Sequence, residues 1–254
     1  MFTKLGVQLY TIREFMKTEE DIRASFKKLK ALGYDEGQTA GCAIPHADYG
    51  RIAAEEGLTI VGTHEGFAAL AADPELAMTN HRALSTTNIG VGGPGPGAFE
   101  SLANLDRFID DVNAFAEKIY PHGFKFTYHN HSREFAKLDG HVIMERMADG
   151  FDPKKVSFVL DTYWVQNGGG DVRAWLEKLA GRVDILHLKD MAVKPGTNES
   201  YITEIGQGNL YWEGILKTAE ETGVKKYVVE QDTCPGDPFD SLKLSADYLA
   251  KFMK

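Results

Sequence analysis

The sequence predicts an α/β fold, a (β/α)8 TIM barrel that forms a single domain over residues 1–254. Eight short apolar runs each precede a segment of helical period, the alternation expected of parallel strands joined by helices. Polar residues follow nearly every apolar run, and in a barrel these strand ends meet at one mouth. An open doubly wound sheet is the competing architecture, and the count of eight favours the barrel.

Four strand–helix units are predicted in the first half of the chain. The first helix begins at Thr18, a residue typical of an N-cap, with Asp21 three residues on, and Gly33 ends it. The fourth helix has apolar residues spaced along one helical face. The strands are expected at 4–10, 34–39, 58–67 and 88–93, and the helices at 18–33, 46–57, 73–86 and 102–123.

Four further units are predicted in the second half. The fifth strand is the run FKFTYHNH, in which His129 and His131 share a face if the strand persists through them. Asp171 is expected to cap the helix after the sixth strand. The strands are expected at 124–131, 156–164, 183–190 and 226–232, and the helices at 141–150, 171–181, 210–223 and 241–253.

The charge balance and the cysteines restrict the class of protein. A formal net charge of −9 argues against a partner bound through its phosphates, such as nucleic acid. Cys42 and Cys234 lie far apart without metal-ligand spacing, which fits a reduced setting. Neither a signal peptide nor an apolar run of membrane-spanning length is evident, so a cytoplasmic protein without membrane contact is expected.

Side chains that can bind a metal or transfer a proton cluster after the last four predicted strands. A barrel brings those four strand ends together, and a mixture of imidazole and carboxylate ligands suits Mn²⁺, Zn²⁺, Co²⁺ or Mg²⁺. The alternative is that each residue is a solvated strand end or a satisfied polar group. The candidates are His129, His131 and Glu134 after the fifth strand, Asp161 after the sixth, His187 after the seventh and Glu230 after the eighth.

Several sequence motifs resemble those of a known family: GVQLYTIRE (6–14), YHNHSREF (128–135), LDTYW (160–164), LHLKD (186–190), GQGNLYWEGIL (206–216) and VVEQD (228–232). Together they resemble the xylose-isomerase-like superfamily of sugar isomerases, epimerases and dehydratases. The resemblance implies one divalent metal at the barrel mouth, with Mn²⁺ expected first, held by Glu, Asp, His and Glu from the fifth to eighth strands. Asp161, His187 and Glu230 match the last three ligands.

The first ligand departs from the family pattern. Ketose epimerases of the family carry Glu where this chain has His129, and they use that Glu and the last one as paired acid/base groups. Either His129 replaces the ligand, or Glu134 folds back to supply a carboxylate. Glu134 is preferred here because a third carboxylate better balances the metal's charge. In neither case is the family's two-Glu proton shuttle expected to operate unchanged.

Catalytic and substrate-binding candidates surround these ligands. His131 or His129 is expected to act as a general base, because imidazole titrates near neutral pH. Lys189 is a candidate to neutralise an oxyanion or position a hydroxyl, with a structural salt bridge as the alternative. The candidates for contacts with the sugar are Gln8, Glu36, His64 and Trp164, each of which has barrel-top packing as its alternative.

Four functions are considered for these candidate ligands and catalytic residues. A metal-dependent sugar or keto-sugar isomerase or epimerase comes first, acting by proton abstraction next to a carbonyl through an enediolate. A lyase that expels a β-substituent from the same intermediate, acting on a keto-sugar or keto-inositol, is the alternative. An apurinic endonuclease is disfavoured by the acidic balance, and a non-catalytic barrel by the complete ligand set. The expected partner is a small sugar without phosphate, and a homo-oligomer is supported only by analogy with relatives that pair.

Overall fold

A computed structural model describes residues 2–254, and within them eight parallel strands form one nearly closed barrel, as predicted. These strands, called first to eighth below, are Leu5–Gln8, Tyr34–Ala40, Thr59–His64, Asn88–Val91, Lys125–His129, Val156–Asp161, Val183–Leu188 and Lys226–Val229. Their order in the sheet is third, second, first, eighth, seventh, sixth, fifth, fourth. A single parallel bridge between Glu65 and Val91 joins the third strand to the fourth.

Helices connect the strands and cover the outside of the barrel. The predicted start of the first helix is confirmed, since Thr18 and Asp21 form a reciprocal capping box there. The helices are α1 (Glu19–Ala31), α2 (His46–Glu55), α3 (Phe67–Ala72), α4 (Pro74–Ala83), α5 (Leu102–Ile119), α6 (Ile143–Gly150), α7 (Thr162–Asn167), α8 (Val172–Lys178), α9 (Trp212–Glu221) and α10 (Pro238–Leu249). No helix between residues 2 and 254 combines the length and the apolar character needed to cross a bilayer.

Several predicted boundaries are wrong at the strand ends. The first strand stops at Gln8, and a 3₁₀ helix, Leu9–Phe15, follows. The sixth strand stops at Asp161 rather than at residue 164, because the Asp161 side chain accepts from the Trp164 amide and caps α7. Two hairpins were not predicted, Lys137–Leu138 with His141–Val142 and Asp190–Val193 with Ser200–Thr203.

A small apolar layer lies in the strands just before their polar ends. It consists of Val61, Val159, Ile185 and Val228, all buried. Three of these four residues precede a candidate ligand by two positions, so they share its face of the strand. A Cβ on Gly62 would lie 2.9 Å from Cδ1 of Ile185, too close for an ordinary contact. The layer therefore forms a packed, apolar base under the mouth.

Candidate metal centre at the barrel mouth

Four buried side chains from the fifth to eighth strands converge on one point. They are His129, Asp161, His187 and Glu230, and one ligand atom from each lies within 4.8 Å of all the others. Each residue stands at or beside the carboxyl end of its own strand. Because these four strands are neighbours in a parallel sheet, their ends bring the side chains together.

The nitrogen and oxygen atoms of this group face one another. Asp161 Oδ2 lies 3.4 Å from His129 Nε2 and 3.6 Å from His187 Nδ1. Glu230 Oε2 lies 3.0 Å from His187 Nδ1 and 4.0 Å from His129 Nε2. Two imidazole nitrogens and two carboxylate oxygens around one centre are a donor set that suits Zn²⁺, Co²⁺ or Mn²⁺.

In two of the four ligands, His187 and Asp161, the second nitrogen or oxygen is held by a partner outside the group. His187 Nε2 lies 2.5 Å from Gln38 Oε1, which accepts its proton and leaves Nδ1 free for the centre. Asp161 Oδ1 accepts from the Trp164 amide at 2.9 Å, so only Oδ2 is directed inward. The buried Nδ1 of His129 has no hydrogen-bond partner among residues 2–254. The orientation of the Asp161 and His187 groups is therefore set independently of any ion.

The charge states of the two carboxylates also fit a cation. Burial alone would raise the pKa of Asp161, but Lys189 and the two histidines outweigh burial and lower it. Burial likewise opposes ionisation of Glu230, and Lys189 and His187 lower its pKa well below the ordinary value. Both groups are thus carboxylates, the form that binds a metal. The residues present fit a divalent ion.

The preference for Glu134 as the fourth ligand is revised by its contacts. Glu134 Oε1 accepts from the Tyr128 hydroxyl at 2.8 Å, and Oε2 accepts from the His131 amide at 2.9 Å. The side chain therefore turns back onto His131, the residue that precedes its own 3₁₀ turn, Ser132–Phe135. His129, the last residue of the fifth strand, occupies the fourth position of the group instead.

His131 lies next to the centre although the fifth strand ends at His129. Its ring lies 4.7 Å from the ring of His129 and 5.3 Å from that of Trp164, between centroids. Burial, followed by repulsion from His129, lowers the pKa of His131 to about 3. The ring is therefore neutral, and its buried Nδ1 lacks a partner among the described residues.

Lys189 connects the centre to an acidic residue that the sequence analysis missed. Its Nζ donates to Glu230 Oε2 at 3.0 Å and to Asp232 Oδ1 at 2.8 Å, and lies 3.5 Å from Asp161 Oδ2. Burial would lower the pKa of Lys189, but Asp161, Glu230 and Asp232 raise it, so the ammonium is charged. Asp232 follows Glu230 by two positions, a spacing that pointed to the same face.

Three of the four residues proposed to contact substrate lie at the mouth. Gln8 Nε2 lies 3.3 Å from His64 Nδ1, and the His64 ring lies 4.8 Å from that of His129. Burial, followed by the charges of His129 and His187, lowers the pKa of His64 well below its ordinary value. The buried Nε2 of His64 and Nε1 of Trp164 have no partner within residues 2–254, which leaves both for a ligand.

Glu36, the fourth of these residues, lies at the other end of the barrel. It stands near the start of the second strand, and its Oε1 accepts from Lys226 Nζ at 2.5 Å, at the start of the eighth. The prediction that Glu36 contacts substrate is therefore wrong, because the strand runs on to Ala40. Gln38, two residues later, reaches the centre instead.

A cavity of about 310 Å³ opens over the centre. A volume of this size is at the lower end of the range for small-molecule sites. The floor and walls come from seven of the eight barrel strands or their following loops. The lining residues are Tyr10, Ala40, His64, Gly92, His129, His131, Lys189, Glu230 and Asp232.

Comparison with known proteins supports the resemblance found in the sequence. Residues 26–252 match the family described as the xylose isomerase-like TIM barrel. The chain belongs to this family. Its members include isomerases, epimerases and dehydratase-like enzymes, and the barrel with a mouth-facing His, Asp, His and Glu group agrees with that membership.

Two kinds of relative bear on the reaction. The chain is 23% identical over 160 residues to an inosose dehydratase from Geobacillus thermodenitrificans, over 57% of this chain and 53% of that protein. It therefore spans about half the length of the curated relatives that it matches. A sugar phosphate isomerase/epimerase structure from Parabacteroides distasonis is 26% identical, with a TM-score of 0.82 over 99% of this chain and 100% of the other.

A third structure concerns the metal. The IOLI protein with a binding zinc atom superimposes with a TM-score of 0.76 over 98% of this chain and 97% of its own. At 13% identity the likeness shows the fold alone. Zinc is thus bound by one protein of the same fold.

Proposed function

We propose that the protein is a divalent-metal-dependent enzyme that removes a proton from carbon next to the carbonyl of a keto-sugar. The observation that carries this proposal is the buried group of His129, Asp161, His187 and Glu230 beneath the mouth cavity. A bound divalent ion supplies a Lewis acid that polarises a carbonyl and stabilises the negative charge left when the proton departs. The protein's own residues position the substrate and move the proton.

His131 is the proposed base. It borders the mouth cavity, and its buried Nδ1 has no partner within residues 2–254. Lys189 is the proposed source of positive charge beside the developing oxyanion, because its ammonium faces the same cavity. Gln8 and His64 are placed to bind hydroxyls, and the Trp164 ring offers an apolar face to a sugar.

Isomerisation or epimerisation is the first candidate for the complete reaction. It is favoured by the family and by the overall similarity to the sugar phosphate isomerase/epimerase from Parabacteroides distasonis. Reprotonation at the neighbouring carbon, or on the opposite face of the same carbon, requires a second proton carrier. Asp232, hydrogen-bonded to Lys189 at the cavity wall, is the second candidate carrier in this site.

Dehydration is the second candidate, and two observations favour it. His129 stands where the epimerases of the family carry a carboxylate, so the paired-Glu shuttle is missing. His131 and Lys189 both flank Trp164, with the His131 ring 5.3 Å and Lys189 Nζ 5.0 Å from the indole ring centre. A base and an ammonium group that both lie against the same indole ring suit removal of a proton and protonation of a leaving hydroxyl. The inosose dehydratase relatives agree with this reaction.

The identity of the metal is a separate part of the proposal. Mn²⁺ is the expected ion by family resemblance, and two imidazole ligands in place of one add affinity for Zn²⁺ and Co²⁺. Metal content of protein purified without chelator, with Asp161→Ala and Glu134→Ala beside it, is the first measurement. We expect about one ion per chain, lost in Asp161→Ala and retained in Glu134→Ala. No ion in any sample, even after incubation with Mn²⁺ or Zn²⁺, contradicts the proposal.

The reaction is tested by solvent-deuterium exchange in the metal-loaded protein. Keto-sugars and a keto-inositol are incubated in D₂O, and NMR follows both deuterium incorporation and new products. Exchange with an isomeric product identifies an isomerase or epimerase, whereas loss of water with a new enol or dione identifies a dehydratase. His131→Gln is expected to abolish exchange while the metal stays bound. Exchange at the wild-type rate in that variant contradicts the assigned base.

A further inference from the structure

A second cavity of about 340 Å³ adjoins the mouth cavity. Tyr10 and Ala40 line both, so the two cavities meet at these residues. The second cavity lies over the ends of the first and second strands, on the side of the mouth away from the fifth strand. A ligand that fills the mouth and extends past Tyr10 therefore enters the second cavity.

The charge of the second cavity is positive in a chain whose net charge is −9. Arg13 and Lys17 are the charged residues among those that line it. Lys17 Nζ already donates to Glu14 at 2.6 Å. Arg13 has no carboxylate within ion-pair distance among residues 2–254, so its charge is available to a ligand.

Arg13 is held in place rather than free to swing. Its Nη1 donates to the carbonyl oxygens of Tyr10 at 2.9 Å and Asp232 at 3.1 Å. The guanidinium also stacks 4.1 Å from the centre of the Tyr10 ring. Only one of its three nitrogens takes part in these bonds, and the others retain N–H donors. The guanidinium is thus pre-organised at the edge of the cavity, which reduces the entropy lost on binding a ligand.

Asp232 joins this arginine to the metal centre. Its carbonyl accepts from Arg13, and its carboxylate accepts from Lys189, which in turn donates to Glu230. Lys189 and Asp232 therefore connect the ligand group to the Arg13 guanidinium. Because the two cavities share Tyr10 and Ala40, one extended molecule can occupy both.

We infer that the second cavity is a subsite for the carboxylate end of the substrate, with Arg13 as its ligand. This inference rests on the proposed function, because it places the carbonyl end of the same molecule at the metal centre. A carboxylate matches the planar fork of one guanidinium. The remaining wall is largely apolar, with Leu9, Met16 and Tyr49 contributing, and it offers no second unpaired cation for a phosphate. The substrate class is accordingly a keto-sugar acid.

The test compares two sugars that differ only at C6. D-Fructuronate and D-fructose share the keto group at C2, and only the former carries a carboxylate. Their dissociation constants are measured by calorimetry with the metal-loaded protein and with Arg13→Gln. Lys17→Gln is the matched control, because it removes a charge from the same cavity that is already paired with Glu14.

We expect the acid to bind wild type at least about tenfold more tightly than the neutral sugar. Arg13→Gln removes this margin and leaves the affinity for D-fructose within twofold, and Lys17→Gln changes neither. Equal affinities in wild type, or a preference for the acid that survives in Arg13→Gln, overturn the subsite and leave the proposed function standing. Absence of metal together with absence of binding by both sugars overturns the proposed function and the subsite with it.

Discussion

The two ends of the barrel hold buried charges in opposite ways. At the amino end, Glu36 is paired with Lys226, and Asp184 lies 2.8 Å from Lys225. Both lysine side chains are more than a third exposed, so their ammonium groups are partly hydrated. At the mouth, the single buried ammonium of Lys189 faces three carboxylates.

This difference indicates which end is built to bind a cation. The amino end has a lysine for each buried carboxylate, and Lys125 lies 3.7 Å from Asp184 as well. The mouth has an excess of carboxylates, with imidazole nitrogens between them. Burying such an excess is unfavourable without a compensating positive charge. The amino end therefore balances its buried charge with its own side chains, whereas the mouth keeps an excess of negative charge that a bound cation would balance.

The largest expected effect comes from neutralising one carboxylate of the mouth. Asp161→Asn keeps an N-cap for the Trp164 amide, because Asn caps helices as well as Asp does. It removes the negative charge of a ligand. Loss of an outer-shell partner lowers metal affinity by up to about 100-fold, so loss of this charge should lower it by more than that. Competition with a fluorescent chelator measures the affinity. An affinity within threefold of wild type shows that Asp161 does not bind the metal.

The next contrast separates His129 from Glu134. His129→Gln removes a ligand nitrogen, so it should weaken metal binding by more than about tenfold, the lower range for loss of an outer-shell partner, without large loss of stability. Glu134→Gln should leave metal binding within threefold and lower the free energy of unfolding by about 1–3 kcal/mol, because the contacts to Tyr128 and the His131 amide are weakened. Urea unfolding and metal titration of both variants give the two numbers. The reverse pattern reinstates Glu134 as the ligand.

A substitution at the amino end tests whether the charges there act on stability alone. Lys226→Met leaves the buried carboxylate of Glu36 without its partner and should lower the free energy of unfolding by about 1–3 kcal/mol. The double variant with Glu36→Gln should regain part of that loss. Metal affinity should stay unchanged in both. A change in metal affinity means that the two ends are coupled.

The smallest expected effect concerns pH. His81 Nδ1 donates to the Ala77 carbonyl and Nε2 accepts from the Thr63 hydroxyl at 2.8 Å, so the native ring is neutral. Burial lowers its pKa, and protonation therefore favours the unfolded chain. Its contribution to stability is present above about pH 6.5 and is lost as the pH falls.

Urea unfolding of wild type and His81→Gln at pH 7, 6 and 5 checks this sign. The wild type should lose stability more steeply than the variant, by less than about 1.4 kcal/mol per pH unit. Parallel pH profiles show that His81 titrates alike in both states.

Much of the barrel could be predicted because each strand and helix has a local signal. Short apolar runs marked the strands, and Thr18 with Asp21 marked the start of α1. Asp161, His187 and Glu230 could be placed together for the same reason, since parallel strand ends meet at one edge. Choosing the fourth residue of the group requires the path of the chain after His129, which local patterns do not specify.

The misplaced residues show where local patterns fail. Glu36 and Gln38 lie on the same face of one strand, and only the position of Ala40 at its end shows which of them reaches the mouth. Trp164 was assigned to the sixth strand, predicted over residues 156–164. The cap made by Asp161 ends that strand and starts a helix instead.

The seam between the third and fourth strands has a consequence for hydrogen exchange. Few hydrogen bonds join these strands. Besides the bridge, the Glu65 amide donates to the Gly90 carbonyl, the Asn88 side chain donates to the Val61 carbonyl, and the Gly90 amide donates to the Thr63 hydroxyl. A Cβ on Gly90 would lie 2.2 Å from the Thr63 carbonyl oxygen, so the strands approach closely there. Local opening should begin along this line, and backbone amides beside it should exchange before those of the sixth and seventh strands. The wall of the mouth that carries His64 should then open locally, while the wall that carries Asp161 and His187 stays folded.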